Sequence, residues 1–106
     1  MKEIKAFVHR TRVADIVKAL REEGYRNISV VDVRGLLSSL DSGEDNYSVE
    51  LGDKVTSEIK LEVVCEDSEA MAAVDLICTQ GAAGLALSGW VYMVEVERSW
   101  PIGRNF

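Results

Sequence analysis

Strict apolar alternation occurs twice in this chain, and each time a helical pattern follows it. Along Lys2–His9, Ile4, Ala6 and Val8 fall on one side and Lys5 and Phe7 on the other. Along Ser57–Cys65, Ile59, Leu61, Val63 and Cys65 alternate with Glu58, Lys60 and Glu62. Period two marks a strand with one buried face. After the first strand, Val13, Ile16, Val17 and Leu20 recur at i, i+3, i+4 and i+7, which is one face of a helix. Thr11 is its expected N-cap, Asp15 complements the positive end of the helix dipole, and Gly24 is the expected C′ residue. After the second strand, Asp67 or Ser68 is expected to cap a helix that buries Met71, Val74, Ile77 and Cys78.

Two further segments read as strands. Asn27–Val33 is rich in β-branched residues. Gly89–Arg98 is expected to turn Trp90, Tyr92, Val94 and Val96 inward and Glu95 and Glu97 outward, until Trp100-Pro101 breaks it. The order β-α-β, long loop, β-α-β predicts an α+β, ferredoxin-like βαββαβ sandwich. Its four-stranded antiparallel sheet carries two helices on one face. The 106 residues suit one domain, residues 1–106. The uncovered face is expected to show Phe7, Val31, Val64, Val91 and Met93 among charges, a half-apolar surface that favours self-association.

Charge and composition exclude several classes. The formal net charge is −6 and no basic residues cluster, which argues against a nucleic-acid partner. The longest apolar stretch, Ala82–Val94, is interrupted by Gly84, Ser88 and Gly89, so direct membrane insertion is not expected. The segment Met1–Lys5 has no apolar signal sequence, and Cys65 and Cys78 make no disulfide framework. A cytoplasmic, reducing setting is the expectation.

No catalytic set emerges, and the expected class is non-enzymatic. His9, at a strand end beside Arg10, reads as a solvated surface histidine. Cys65 and Cys78 read as small core hydrophobes rather than nucleophiles or metal ligands. Gly35–Thr56 has no sustained periodicity and is longer than an ordinary connection; it reads as a functional or mobile loop, or as a long hairpin whose arms extend the strands on either side, which does not exclude a functional tip. Glu62, mid-strand on the open face, is placed either to accept hydrogen bonds from a ribose or to pair with Lys60 or another subunit. The small-residue segment Gly81–Gly89 lets backbone N–H groups approach an anion, but it holds no lysine or arginine.

These features together resemble the PII signalling proteins, the trimeric nitrogen-regulatory family. MKEIKA at Met1–Ala6 is similar to the family's MKKIxA, and VADIVKALREEG at Val13–Gly24 to its LDDVREALAEVG helix. VDVRG at Val31–Gly35 is similar to TEVKG, which opens the family's long T-loop. EIKLEVV at Glu58–Val64 resembles KVKIEIVV, and AVDLI at Ala73–Ile77 resembles CVDTII. The loop between these landmarks, residues 35–56, has the family's length.

The resemblance implies a homotrimer with effector sites in the clefts between subunits. Its T-loop would dock on a target protein such as a transporter or an enzyme. Ser29 stands at an adenine-contacting threonine, Glu62 at a ribose-binding glutamate, Val64 at a base-packing position, and Gly35 at the opening of the loop. The phosphate end departs from the family. Its TGKIGDGK B-loop is here a degenerate segment, residues 81–89, with Ser88 or Gly89 at the lysine position. The RIRTG arginine pair falls near Ser99–Gly103, leaving Arg98 and Arg104 as nearby cations. Each lost charge-assisted contact costs roughly 1.5–3 kcal/mol, so two or three weaken a triphosphate by about a thousandfold or more. AMP, ADP or cyclic AMP therefore fit better than ATP, and bicarbonate is a further candidate. Ser39 replaces the T-loop glutamine and Glu58 replaces a lysine, which argues against 2-oxoglutarate. Leu51 replaces the modifiable tyrosine of some members, and Tyr47 is not at that position. The expected function is a regulatory trimer that binds a small effector. The alternatives are an interaction or scaffold module that has lost ligand binding, or a metal-responsive trimer.

Overall fold

The computed structural model describes residues 1–32, 58–84 and 88–103. Four strands, β1 (Lys2–His9), β2 (Asn27–Asp32), β3 (Glu58–Cys65) and β4 (Trp90–Glu95), form one sheet in the order β2-β3-β1-β4, all neighbours antiparallel. Helices α1 (Val13–Glu22) and α2 (Asp67–Gly81) are the two crossovers. This is the expected ferredoxin-like sandwich. The core lies between helices and sheet: Ile4, Ala6 and Val8 from β1, Ile59, Leu61 and Val63 from β3, Ile16 and Leu20 from α1, Ala70, Ala73 and Ile77 from α2. The alternation in β1 and β3 thus places one residue in two against the helices.

Helix boundaries depart from the sequence expectation. Thr11 lies inside a 3-10 turn, Arg10–Arg12, and caps nothing. The Val13 N–H bonds to the Arg10 carbonyl, and the turn runs directly into α1. Arg12 instead donates from Nε to the Gln80 carbonyl at 2.8 Å and pairs with Asp15 at 3.0 Å. The end of α1 is as expected. Gly24 has φ +96°, its N–H reaches Arg21 O at 3.0 Å, and the Tyr25 N–H reaches Leu20 O at 3.0 Å. This double closure satisfies two terminal carbonyls and favours glycine in the left-handed position.

The N-cap of α2 is Glu66, not Asp67 or Ser68. The Glu66 N–H donates to Glu69 Oε1 at 3.4 Å, while the Asp67 carboxylate holds the Met1 ammonium at 2.6 Å. The buried face of α2 is Ala70, Ala73, Ile77 and Gly81. Met71 is 60% exposed and Cys78 is exposed, contrary to expectation. Residues 70–78 are apolar nearly all round, so periodicity did not fix the face. The small residues Ala70, Ala73 and Gly81, with Ile77, make the buried face instead.

Strand β4 is inverted relative to expectation. Val91 and Met93 stand opposite Ala6 and Ile4 on the helix-covered face, and Trp90 and Tyr92 stand opposite Phe7 and Lys5 on the open face. Val94 follows Trp90 and Tyr92. WVYMV is apolar in both registers, so alternation carried no information there. Gly89 lies tight against β1 at the start of the strand: a Cβ there would collide with the Phe7 carbonyl oxygen. Ladder pairing ends at Glu95, with one further bond from Val96 N–H to Met1 O at 3.1 Å. Glu95 lies at the end of the helix-covered face, paired with Lys2.

Candidate functional site

The open face is built by register. One row across the sheet is Asn27, Val64, Glu3 and Val94; the next is Ser29, Glu62, Lys5 and Tyr92; the third is Val31, Lys60, Phe7 and Trp90. Apolar residues gather at the β4 side, where the Phe7 and Tyr92 rings meet edge to face with centroids 6.3 Å apart. Polar residues gather at the β2–β3 side.

A groove of about 470 Å³ lies over that polar side. Ser29, Glu62 and Val64, three of the sequence-derived site residues, line it together. Their convergence follows from the ladder, because Ser29 pairs directly with Glu62, and Val64 is two residues along the same face. Glu62 is half-buried, and its nearest charged neighbour is Lys60, with Nζ 3.8 Å from Oε2. That separation exceeds hydrogen-bond range, so the carboxylate retains acceptor capacity. The groove volume falls in the range of small-molecule sites.

Ser88 and Gly89 lie elsewhere. They line a second groove of about 230 Å³ with Phe7, Ile77, Cys78 and Trp90. The Ala83 N–H donates to Ser88 Oγ at 3.0 Å, so this serine closes its own loop. Arg98 is exposed beyond the end of β4, whereas its neighbour Ser99 lines the first groove. Gly35, the segment 35–56 and Arg104 lie outside the described residues, as do Val33, Ser57 and 85–87. Within one protomer Ser29, Glu62 and Val64 therefore come together, and Ser88 and Gly89 stand apart from them.

The cysteines differ. Cys65 is buried at the end of β3, and burial first, with Glu69 and Glu66 adding to it, pushes its thiol pKa up. Cys78 is exposed rather than buried. His9 is half-buried at the β1 end rather than fully solvated. Among the described residues, no three His, Cys, Asp or Glu side chains converge as metal ligands, and no helix is long and apolar enough to cross a membrane.

Sequence reasoning missed several residues. Arg26 and Asn27 line the groove, but Arg26 sits in the short α1–β2 connection, where no periodicity flags it. Tyr25 is buried and donates from its hydroxyl to the Glu69 carbonyl at 2.7 Å, tying the end of α1 to the start of α2. Its position after the C′ glycine was the available signal.

The model of the family described as Nitrogen regulatory protein P-II matches residues 1–104. The chain belongs to the PII family. A nitrogen regulatory protein P-II from Azospirillum brasilense is 27% identical over 92% of this chain and 87% of its own length. One from Pyropia yezoensis is 26% identical over 99% of this chain and 94% of its own. The crystal structure of Arabidopsis thaliana PII bound to citrate superposes with a TM-score of 0.64 and 19% identity, covering 90% of this chain and 76% of that one. That last likeness is one of fold. This chain is therefore a divergent PII protein, a member of a family of regulatory signalling proteins.

Proposed function

We propose that this PII protein is a non-enzymatic regulatory homotrimer. Its groove at Ser29, Glu62 and Val64 takes a small effector carrying a nucleoside, and residues 35–56 dock on a target protein. The observation that carries this reading is the pairing of Ser29 with Glu62 on an uncovered sheet face, with Val64 beside them. A hydroxyl and a carboxylate provide the donors and acceptors for a ribose and a base edge, and Val64 provides an apolar surface for the base. The exposed Trp90, Tyr92 and Val94 on the same face favour burial against neighbouring copies, which completes the groove between subunits. Members of this family work in the cytoplasm, and the same setting is proposed here.

The phosphate end supports effectors with few phosphates. Ser88 engages Ala83, and no lysine stands in residues 81–89. The citrate held by the Arabidopsis protein is a reminder that this fold admits carboxylates, but Glu58 and Ser39 argue against 2-oxoglutarate here. The interaction-module alternative draws support from this same loss. The metal-responsive alternative gains none from the described residues.

A thermal-shift panel of ATP, ADP, AMP, cyclic AMP, adenosine, 2-oxoglutarate and bicarbonate tests the reading. A ligand at a hundredfold excess over its Kd stabilises by about 2.7 kcal/mol. The expected result is a rise in Tm with AMP or ADP that Glu62→Ala abolishes. No shift with any adenine compound would leave the interaction module as the better account.

A further inference from the structure

The short 3-10 turn that carries β1 into α1, Arg10–Arg12, has a hold on two other elements. The turn itself is closed by the Val13 N–H on the Arg10 carbonyl. Its two arginines reach in different directions. Arg12 donates from Nε to the Gln80 carbonyl at 2.8 Å, in a partly buried contact. Arg10 donates from Nη2 to Asp32 Oδ2 at 2.7 Å.

Both contacts fall at the end of an element. Gln80 lies in the last turn of α2, where carbonyls lack partners within the helix. That end has no glycine closure of the kind that finishes α1: Ala82, at the C-cap, is extended, and the last turn holds no basic residue of its own. Arg12 supplies, from another element, the cation that a helix C-terminus favours. Residues 82–89 follow directly, and Ala82, Ser88 and Gly89 line the second groove. Asp32 is the last residue of β2, at the edge of the sheet beside β3. Residues 33–57 follow directly. In register, Asp32 stands beside Ile59 and Ile59 beside Val8, so Arg10 bridges the width of β3, from the end of β1 to the end of β2.

We infer that the Arg10–Arg12 turn couples the segment that follows α2, residues 82–89, to the segment that follows β2, residues 33–57. The turn is closed by its own hydrogen bond and continues the β1 ladder, which runs to His9, so a displacement of one arginine is passed to the other rather than absorbed between them. A change of conformation in residues 82–89 is then felt where β2 ends, by a path that passes through neither Ser29 nor Glu62. Its meaning for docking rests on the reading of residues 33–57 given above; the coupling itself does not. The two contacts also differ in kind. The Arg10 and Asp32 side chains are 46% and 48% exposed, so salt screens their ion pair. The Arg12 contact is partly buried and made to a neutral carbonyl, so salt affects it less.

Hydrogen exchange of the full chain, read in peptides covering residues 28–57 and 79–89, tests this in Arg12→Gln, Asp32→Asn and Asp15→Asn. Asp15→Asn removes the carboxylate that pairs with Arg12 at 3.0 Å and leaves the Gln80 contact in place, so it controls for lost charge beside the same turn. The expected result is reciprocal. Asp32→Asn speeds exchange about threefold or more in residues 79–89, Arg12→Gln does the same in residues 28–57, and Asp15→Asn changes neither by as much as twofold. Molar sodium chloride reproduces the effect of Asp32→Asn in the wild type and adds little to it in the variant. The Asp32→Asn arm, made at an exposed ion pair, keeps the test decisive should Arg12→Gln unfold. Acceleration confined to the segment beside each substitution, or spread evenly over every peptide of Asp32→Asn, would overturn the coupling. No ligand enters the experiment, so its failure leaves the effector reading standing.

Discussion

Ser29 and Glu62 stand directly opposite each other across the β2–β3 ladder, on the sheet face that neither helix covers. Antiparallel partners point to the same side of the sheet, so a two-residue shift of either strand would part them. The register that joins them is the one that buries Ile28 and Val63 together beneath the helices. The proposed effector site is thus held in place by the core.

Gly89 and Gly81 are expected to respond oppositely to alanine. A Cβ at Gly89 collides with the Phe7 carbonyl oxygen, and backbone cannot swing aside as a side chain can. Gly89→Ala should cost about 2 kcal/mol or more and loosen β4, an effect of the order seen for strained or overpacked sites. Gly81→Ala meets Ile16 Cδ1 at 3.4 Å, an ordinary contact, and should be neutral or stabilising by up to about 1 kcal/mol. Urea denaturation of the two variants checks the contrast.

Tyr25→Phe removes the hydroxyl that donates to Glu69 O at 2.7 Å. A loss of about 0.5–1.5 kcal/mol is expected, and hydrogen exchange should rise first at the start of α2. Burial, with the Cys65, Glu69 and Glu23 charges adding to it, raises the Tyr25 pKa above its ordinary 10.0. The unfolded chain therefore releases this proton at lower pH than the folded one. The contribution is full below about pH 10, and it is lost as pH rises through the folded pKa. Wild type should lose stability across that alkaline range, and Tyr25→Phe should lose less of it.

The two thiols should react differently. Cys65 is buried with a raised pKa and Cys78 is exposed. A thiolate reagent at neutral pH should modify Cys78 in the folded protein and leave Cys65 intact until denaturant is added. Peptide mass mapping of Cys78→Ser, which should show no rapid labelling, decides it.

The proposed homotrimer predicts a mass near three times the 11.7 kDa chain in sedimentation. A charge placed among Trp90, Tyr92 and Val94, as in Tyr92→Glu, should yield monomers and shift Trp90 emission to longer wavelength. A trimer unaffected by that charge would place the subunit interface elsewhere.

Where the sequence alternated with polar residues on one side, as in Glu58–Cys65, strand and face were both readable. Where it was apolar on both sides, they were not: β4 inverted because Trp90-Val91-Tyr92-Met93 satisfies either face. In α2 the eye follows Met71 and Cys78, yet Ala70, Ala73 and Gly81 pack, because close approach rewards small size. Caps were legible only where glycine was required, at Gly24. Thr11 and Asp67 had the right chemistry but lost to a 3-10 turn and to the Met1 ammonium. For the proposed site, the family resemblance pointed to Ser29, Glu62 and Val64, and the β2–β3 ladder places all three beside one groove. Arg26 lines the same groove, but a residue in a connection carries no pattern until the fold brings it there.

Hydrogen exchange with and without AMP tests the central claim most directly. The account predicts added protection in peptides covering Asn27–Asp32 and Glu58–Cys65, accompanied by an altered exchange rate in residues 35–56, both abolished by Glu62→Ala. Exchange unchanged by saturating AMP in all three segments would contradict it.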